Sequence, residues 1–386
     1  MRLTIHQPTL THYRLPVFRH LAGRSGVDLL VCFSALSHVS DGEDLDFPST
    51  MVSPARRVSV FGQTLHWHGA QLWLAQSSRT DVLVLPWDTH HLSLVPALTR
   101  ARTQGVASVV WGHGYSKRES ASRRRIRDRI GHLADVVLLY DQTTADGLVA
   151  RGFARDRVFV APNTICQASI REAKDSWAAR PEALRDFRRI HDLDGPVLIF
   201  VSRLLEPNRV DLLIDALPTV IRRHPRLRLV VVGDGPERAA LEAQSQRVCP
   251  PGHVIFTGAI FDERELAPWM LCANVFVYPE NIGLSLFHAF GYGLPVVVSA
   301  DRSRQNPEID AFRPGKNGTS YEPGSVQDLA RSIQHLLENE PLTRAMGANA
   351  LRLMETERTI ARMADGFTAA AERALEQRRA RRPARL

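Results

Sequence analysis

Four cysteines in 386 residues, Cys32, Cys166, Cys249 and Cys272, are scattered with no Cys-x-x-Cys pair. That distribution argues against a disulfide framework and offers no zinc-ligand spacing. No apolar run approaches the roughly 18 residues that a membrane-spanning helix requires, so an integral membrane protein is not expected. The opening stretch MRLTIHQPTLTHYRLPVF meets Pro8, two histidines and Arg14 before a signal-peptide core could form. The expected compartment is the reducing cytoplasm. No repeat of short fixed period is visible, and low complexity is confined to the Arg/Ala-rich end after Gln377. Whole-chain disorder is excluded as well, because 44% hydrophobic and 23% charged residues match an ordinary globular chain.

Charge is unevenly divided. Residues 1–180 hold 22 Lys+Arg against 15 Asp+Glu, whereas the remainder hold 27 against 26, five of the 27 being Arg378, Arg379, Arg381, Arg382 and Arg385. A basic first half and a basic tail point to a polyanionic partner: nucleic acid, an anionic membrane surface or a phosphorylated substrate. Short β-branched runs alternate with helical segments, the pattern of parallel sheets covered on both faces. The first series lies at 3–6, 27–33, 81–86, 106–111, 135–140 and 157–162, the second at 196–202, 227–233, 253–258, 274–279 and 295–299. The pattern predicts an α/β protein of two doubly wound domains whose strand ends share a cleft. The expected division is 1–165, a polar connection at 166–195, a second domain at 196–362, and a helix with a basic tail at 363–386, read as a solvated terminal helix.

The densest chemical signal is YPENIGLSLFHAFGYGLPVVVS, from Tyr278 to Ser299. A strand runs into Glu280 and Gly283 and then into helical spacing at Leu284, Leu286, Phe287 and Phe290. Glycine lets backbone approach a ligand, and the amides of a first helical turn suit a diphosphate. A carboxylate at the mouth of such a loop accepts bonds from hydroxyls beyond the phosphate. Gly233 and Gly235 in VVGDGPE do not make a dinucleotide fingerprint, since the third glycine is missing.

These residues resemble the donor-binding signature of family 4 (group 1) glycosyltransferases, retaining enzymes of the GT-B fold. The likeness extends along the chain in the family's order through WGHG (111–114), FVSRL (200–204), VVGDGPERAAL (231–241) and FTGAI (256–260). It implies two Rossmann-like parallel-sheet domains facing a central cleft, and transfer of a hexose from a nucleotide sugar to a hydroxyl acceptor with no metal or other cofactor. By resemblance Arg203 grips the donor diphosphate, Glu280 contacts a sugar hydroxyl, and Gly283, Leu284 and Ser285 offer backbone donors. Gly233, Gly258 and Ile260 flank the nucleotide, and His113 is the catalytic histidine of the first domain. Asn163 in APNTI falls in a loop that resembles the family's, with no chemistry assigned. Three departures stand out. Asn208 occupies the position of a phosphate-binding lysine, with Arg209 next to it as the candidate cation. His288 replaces the glutamate that holds ribose. The glycine-rich turn after the first strand is absent, and Tyr13 and Arg14 stand there, facing acceptor or phosphate on one reading and simply packed on the other.

The stretch 116–132, SKRESASRRRIRDRIGH, puts arginines 118, 123, 124 and 127 partly on one helical face and Ile126 and Ile130 on another. It serves as a solvated face, as a contact with an anionic membrane on the inner side, or as a nucleic-acid patch, the last lacking interleaved aromatics. The acidic cluster DGEDLD at 41–46 reads as surface. The function expected is assembly of a bacterial surface polysaccharide, lipopolysaccharide or glycolipid. The rivals are decoration of a small natural product, a catalytically silent GT-B-like binding or scaffold protein, and a nicotinamide-dependent oxidoreductase, which the two domains alone would allow.

Overall fold

The computed structural model describes residues 1–37, 45–60, 62–115 and 120–381. Residues 41–44 of the acidic cluster, 116–119 of the basic stretch, and Arg382 and Arg385 of the tail lie outside them. The chain divides into two compact units, one of residues 1–163 with 360–386 and the other of 164–359.

Unit 1 is built on a seven-stranded sheet in the spatial order Val158–Val160, Val136–Leu139, Ala107–Gly112, Val82–Pro86, Arg2–His6, Asp28–Phe33, Ser49–Met51. Its strands pair in parallel throughout. The central strands VLVLP and VVLL are almost wholly buried, as expected of strands covered on both faces. Unit 2 has a six-stranded parallel sheet in the order Val254–Gly258, Arg228–Val232, Val197–Val201, Val275–Tyr278, Val296–Ser299, Gly318–Tyr321. Numbered along the chain, both sheets run 3-2-1-4-5-6, with a seventh strand at the edge of the first. The order reverses between strands 1 and 4, and open α/β sheets bind ligands beyond the carboxyl ends at such a reversal.

All eleven β-branched runs form strands. Two of the domain boundaries differ from expectation. The stretch 166–195 is not a free connection: it forms the helices Ala168–Ala178 and Pro181–Ile190 within unit 2. Ile170 and Ala173 are buried in that unit's core, and Trp177 and Phe187 pack against it. The apolar residues recur at helical spacing among charged neighbours, which makes the segment polar in composition and amphipathic in shape. The C-terminal helix Ile360–Ala380 is not solvated either, because it returns to unit 1. Met363, Phe367, Ala370, Ala371 and Ala374 are buried in the cluster that holds Val82, Val109 and Trp111. The Phe367 ring meets Trp111 edge-on at 4.7 Å. Gly366 is required there, since a Cβ would collide with the Val160 carbonyl oxygen. Part of the basic tail is thus structural: Arg378, 6% exposed, donates to the buried Asp135 at 2.8 Å, and Arg381 reaches its other oxygen at 3.0 Å.

Candidate functional site

In unit 2 the reversal lies between the strands Val197–Val201 and Val275–Tyr278. Ser202 and Arg203 leave the first, and Pro279 and Glu280 leave the second, so two of the sequence candidates emerge on either side of that crevice. Tyr278 Oη donates to Ser202 Oγ at 3.0 Å, tying the strand ends together. Burial pushes the Tyr278 hydroxyl up to about 12, with the Ser202 bond opposing it only partly.

The Arg203 loop is held by close backbone approach. A Cβ at Gly233 would strike the Ser202 carbonyl oxygen, and one at Gly235 the Leu204 carbonyl oxygen. The Gly233 N–H donates to the Gly258 carbonyl at 2.8 Å, and that oxygen also accepts the Thr257 hydroxyl at 2.9 Å. Gly233 and Gly258 therefore join two loops to each other. Ile260 packs partly against the core, while the neighbouring Phe261 stands 87% exposed.

Asn208 is buried and fully engaged. Its Nδ2 donates to the Arg203 carbonyl at 2.7 Å, its Oδ1 accepts from Asn281 Nδ2 at 2.8 Å, and its carbonyl receives the Glu280 N–H at 3.4 Å. The position that resembles a phosphate-binding lysine thus braces the Arg203 and Glu280 loops. Arg209 and Asn281 both adopt left-handed backbone, with φ of 53° and 65°, a conformation that strains a side chain bearing a Cβ and clusters at functional sites. Arg209 bonds to Asp211 through Nε at 3.0 Å and Nη2 at 2.8 Å. That bond raises its pKa against the opposing effect of burial, and the nearby Glu280 carboxylate adds to the rise.

Glu280 is 4% exposed. Its carboxylate accepts Arg304 Nη1 at 3.0 and 3.3 Å, and Arg304 also pairs with Asp301 at 3.4 Å. The loop that follows is laced to the Arg304 loop: Ile282 N–H donates to Gln305 Oε1 at 2.8 Å, and Asn306 Nδ2 donates to the Asn281 carbonyl at 2.8 Å. Gly283 lets Asn306 lie close, since a Cβ would meet its Nδ2 at 3.3 Å. Leu284 caps the helix Ser285–Gly291, which is only seven residues long.

His288 lies on that helix and its Nε2 is 3.0 Å from Glu263 Oε2, while Tyr292 Oη donates to Glu263 Oε1 at 2.6 Å. Burial pushes the Glu263 carboxyl up, but the His288 bond and charge and the Tyr292 bond outweigh it, so the group stays below its ordinary range. Burial and the adjacent carboxylate drive the Tyr292 hydroxyl far upward. A carboxylate is therefore present beside position 288 after all, delivered by the helix Glu263–Cys272 rather than by residue 288. Nothing in the linear sequence links Glu263 to His288; only the fold brings them together.

Unit 1 has its own reversal, between Arg2–His6 and Val82–Pro86. Beyond those ends lies a histidine cluster that sequence reasoning missed, although HWH at 66–68 and HH at 90–91 carry its signal. The His68 ring lies 4.6 Å from His91 and 5.2 Å from His6. Burial first, then the neighbouring imidazoles, pushes His6 down to about 3 and His68 to about 4. His113 follows the strand Ala107–Gly112, is exposed, and tilts against the Tyr140 ring at 4.8 Å. Of the residues after the first strand, Arg14 is packed rather than facing solvent. It is 3% exposed, lies 5.0 Å from the rings of Tyr13, Trp111 and Tyr140, and donates to Asn163 at 2.8 Å.

Two parallel Rossmann-like units with these sheet orders define the GT-B class of fold. A crystal structure of Anabaena Alr3699/HepE in complex with UDP superposes with a TM-score of 0.69 at 18% identity, covering 95% of this chain and 98% of that one. A glycosyltransferase from Rickettsia africae does so with a TM-score of 0.70 at 13% identity, covering 97% and 98%. Residues 184–352, which hold Arg203, Glu280 and His288, match the family Glycosyl transferases group 1. A curated relative, the GDP-mannose-dependent alpha-(1-6)-phosphatidylinositol monomannoside mannosyltransferase of Mycolicibacterium smegmatis, is 30% identical over 266 residues. That match covers 66% of this chain and 66% of the relative, so the chain spans just under two thirds of its length.

Proposed function

We propose that the protein is a retaining hexosyltransferase that moves a sugar from a nucleoside-diphosphate sugar to a hydroxyl acceptor, in the assembly of a bacterial surface polysaccharide, lipopolysaccharide or glycolipid. The observation that carries this reading is the setting of Glu280: a buried carboxylate at the carboxyl end of a strand beside the sheet reversal, inside the segment that matches the family. Three arginines, 203, 209 and 304, stand in the loops that frame it.

In this reading Arg203 and Arg209 and the backbone amides of Gly283, Leu284 and Ser285 stabilise the leaving diphosphate as its negative charge grows. Glu280 accepts a hydroxyl of the donor sugar. The acceptor oxygen bonds to the anomeric carbon on the face from which the phosphate oxygen departs, and the acceptor's proton passes to that oxygen. Neither an enzyme carboxylate base nor a metal is needed, so chelation with EDTA leaves the rate unchanged. Gly233, Gly258 and Ile260 shape the nucleotide's surroundings through backbone, Asn208 braces the Arg203 and Glu280 loops, and His288 with Glu263 serves the ribose. His113 is proposed as the catalytic histidine of unit 1. A lipid-linked acceptor is favoured by the mycobacterial relative, whose name specifies a phosphatidylinositol monomannoside. The basic stretch 116–132, whose described part includes the helix Ala121–Leu133, would then meet the anionic inner face of a membrane; among the described residues no helix is long and apolar enough to cross one.

The test is thermal unfolding against GDP, UDP and their sugars, with NAD as control. A ligand at 100 times its Kd adds about 2.7 kcal/mol of stability, and a rise selective for one base identifies the donor. A second reading, a catalytically silent scaffold, is favoured by the engaged amide of Asn208 and the Arg304 pair on Glu280. It predicts no midpoint rise with any of these nucleotides and no transfer.

A further inference from the structure

The hairpin Arg56–Val60 with Gln63–Trp67 forms a two-stranded sheet of its own, separate from the main sheet of unit 1. Two-stranded hairpins are marginal in water unless one face is covered. Register here places Arg56 opposite Trp67 and Val58 opposite Leu65. Alternation along each strand puts all four on one face. That face is open: Val58 is 46% exposed and Trp67 36%. Beside it lie two more exposed apolar side chains, Met51 at 63% on the edge strand and Trp73 at 44% on the helix Gly69–Leu74.

An open pocket of about 590 Å³ lies here, lined by Met51, Val52, Pro54, Arg56, Trp67 and Trp73 among others. Among the described residues no carboxylate lines it. The cations beside it are Arg56, in its lining, and Arg79, which lies over the Trp73 ring at 3.8 Å. Two tryptophans in a lining that also holds Met51, Val52 and Pro54, with guanidinium groups beside them, are suited to a molecule that is apolar at one end and anionic at the other. Exposed apolar side chains also occur on the neighbouring helices. The helix Gly69–Leu74 lies beside Leu94–Thr103, which lies beside Ala121–Leu133. Those two neighbours expose Val95 at 38% and Ile126 at 52%.

We propose that this cavity is a lipid-binding site: it takes an anionic phospholipid of the bilayer surface, the acyl chain against Trp67, Trp73 and Met51 and the phosphate against Arg56. The insertion is local to the tryptophan edge, and the arginines of the helix Ala121–Leu133 add only screened long-range attraction. The inference stands apart from the transfer reaction, because it concerns partition to a surface rather than turnover.

The test uses the full chain with vesicles of phosphatidylcholine, with and without phosphatidylglycerol, and with acyl chains brominated to quench tryptophan. The wild type should float with phosphatidylglycerol vesicles, with part of its fluorescence quenched by brominated chains. Trp67→Ala with Trp73→Ala should lower partition at least tenfold and remove most of the quenching. Arg56→Glu, on an exposed strand, should lower partition while leaving the thermal midpoint in place. Arg124→Ala with Arg125→Ala and Arg129→Ala should weaken binding at low salt yet keep the quenching of the bound fraction. The proposal is overturned if the tryptophan pair partitions like the wild type, if binding ignores lipid charge, if bound protein shows no quenching, or if sizing without lipid reveals a dimer that the tryptophan substitutions dissolve.

Discussion

Arg304 holds Glu280 in place: one guanidinium nitrogen lies 3.0 and 3.3 Å from the two carboxylate oxygens, and the acid is buried while the arginine is largely exposed. The pair has an orientation with consequences. Glu280 depends on Arg304 for its buried charge, whereas Arg304 has water as an alternative. If Glu280 reads a donor-sugar hydroxyl, Glu280→Ala should lower transfer by about a hundredfold or more, in the range of a lost transition-state contact. Affinity for the nucleoside diphosphate alone should stay within a few fold. Calorimetric titration with the diphosphate and a transfer assay on the same sample separate the two. Equal loss in both would place Glu280 on the phosphates.

The contact between His288 and Glu263 makes a prediction about restoring the family residue. His288→Glu would set a second carboxylate against Glu263, whose pKa is already held down by its partners after burial is overcome. The substitution should lower the thermal midpoint at pH 8 and lower it much less at pH 4, where the carboxyls share protons. Glu263→Gln in the same chain should recover most of the loss at pH 8. Non-additivity in this double-mutant cycle measures the coupling. Additive effects would mean that the two side chains do not act together.

Where the core is a run of β-branched residues, the sequence states the strand outright, as in LVVV before Gly233 or VFVY before Pro279. The edge strands Ser49–Met51 and Gly318–Tyr321 carry no such run, because edges bury less and tolerate polar residues. Arg203, Glu280 and Gly283 are legible because backbone chemistry fixes them close to a strand end. Glu263 and Arg304 are not, since each reaches the site from another loop or helix, 25 and 24 residues from its partner. Helix Ala168–Ala178 was hidden for a different reason: its apolar residues are few and widely spaced, and only the 3.6-residue period distinguishes them from a linker. The return of the last helix to unit 1 has no local signal, because the alanines that face Trp111 also suit a solvated helix.

The histidine cluster of unit 1 predicts acid sensitivity. His6, His68 and His91 are held below the ordinary value of 6.5, burial being the largest cause for each. Around them stand His66, His90, Gln71, Ser93 and Asp88, the last of which opposes the shift at His91 and His68. Below pH 6.5 the unfolded chain takes up protons that the folded cluster refuses, so stability is full above about 7 and falls as the pH drops toward 4. Each such histidine steepens the fall by up to about 1.4 kcal/mol per pH unit. Urea unfolding between pH 7.5 and 4.5 should show the slope, and His6→Gln should flatten it even where it lowers the plateau. An unchanged slope in that variant would show that His6 takes up its proton in the folded state.

A buried ion bridge ties the returning C-terminal helix to the sheet of unit 1. Asp135 is wholly buried and accepts the Ser108 N–H at 2.9 Å, Arg378 at 2.8 Å and Arg381 at 3.0 Å. Removing one partner of a buried pair strands the other, at a cost of about 3–5 kcal/mol. Asp135→Ala should therefore destabilise the protein by that order, with Arg378 left charged in an apolar setting. Replacing both groups by apolar residues removes the stranded charge, so Asp135→Leu with Arg378→Met should recover a large part of the loss. Arg381→Ala alone should have little effect, since its guanidinium reaches water. Denaturant unfolding followed by the fluorescence of Trp111, which contacts Phe367 on the same helix, reads the docking directly. A double variant no better than Asp135→Ala would mean that the Ser108 bonds, rather than the arginine pair, hold the helix to the sheet.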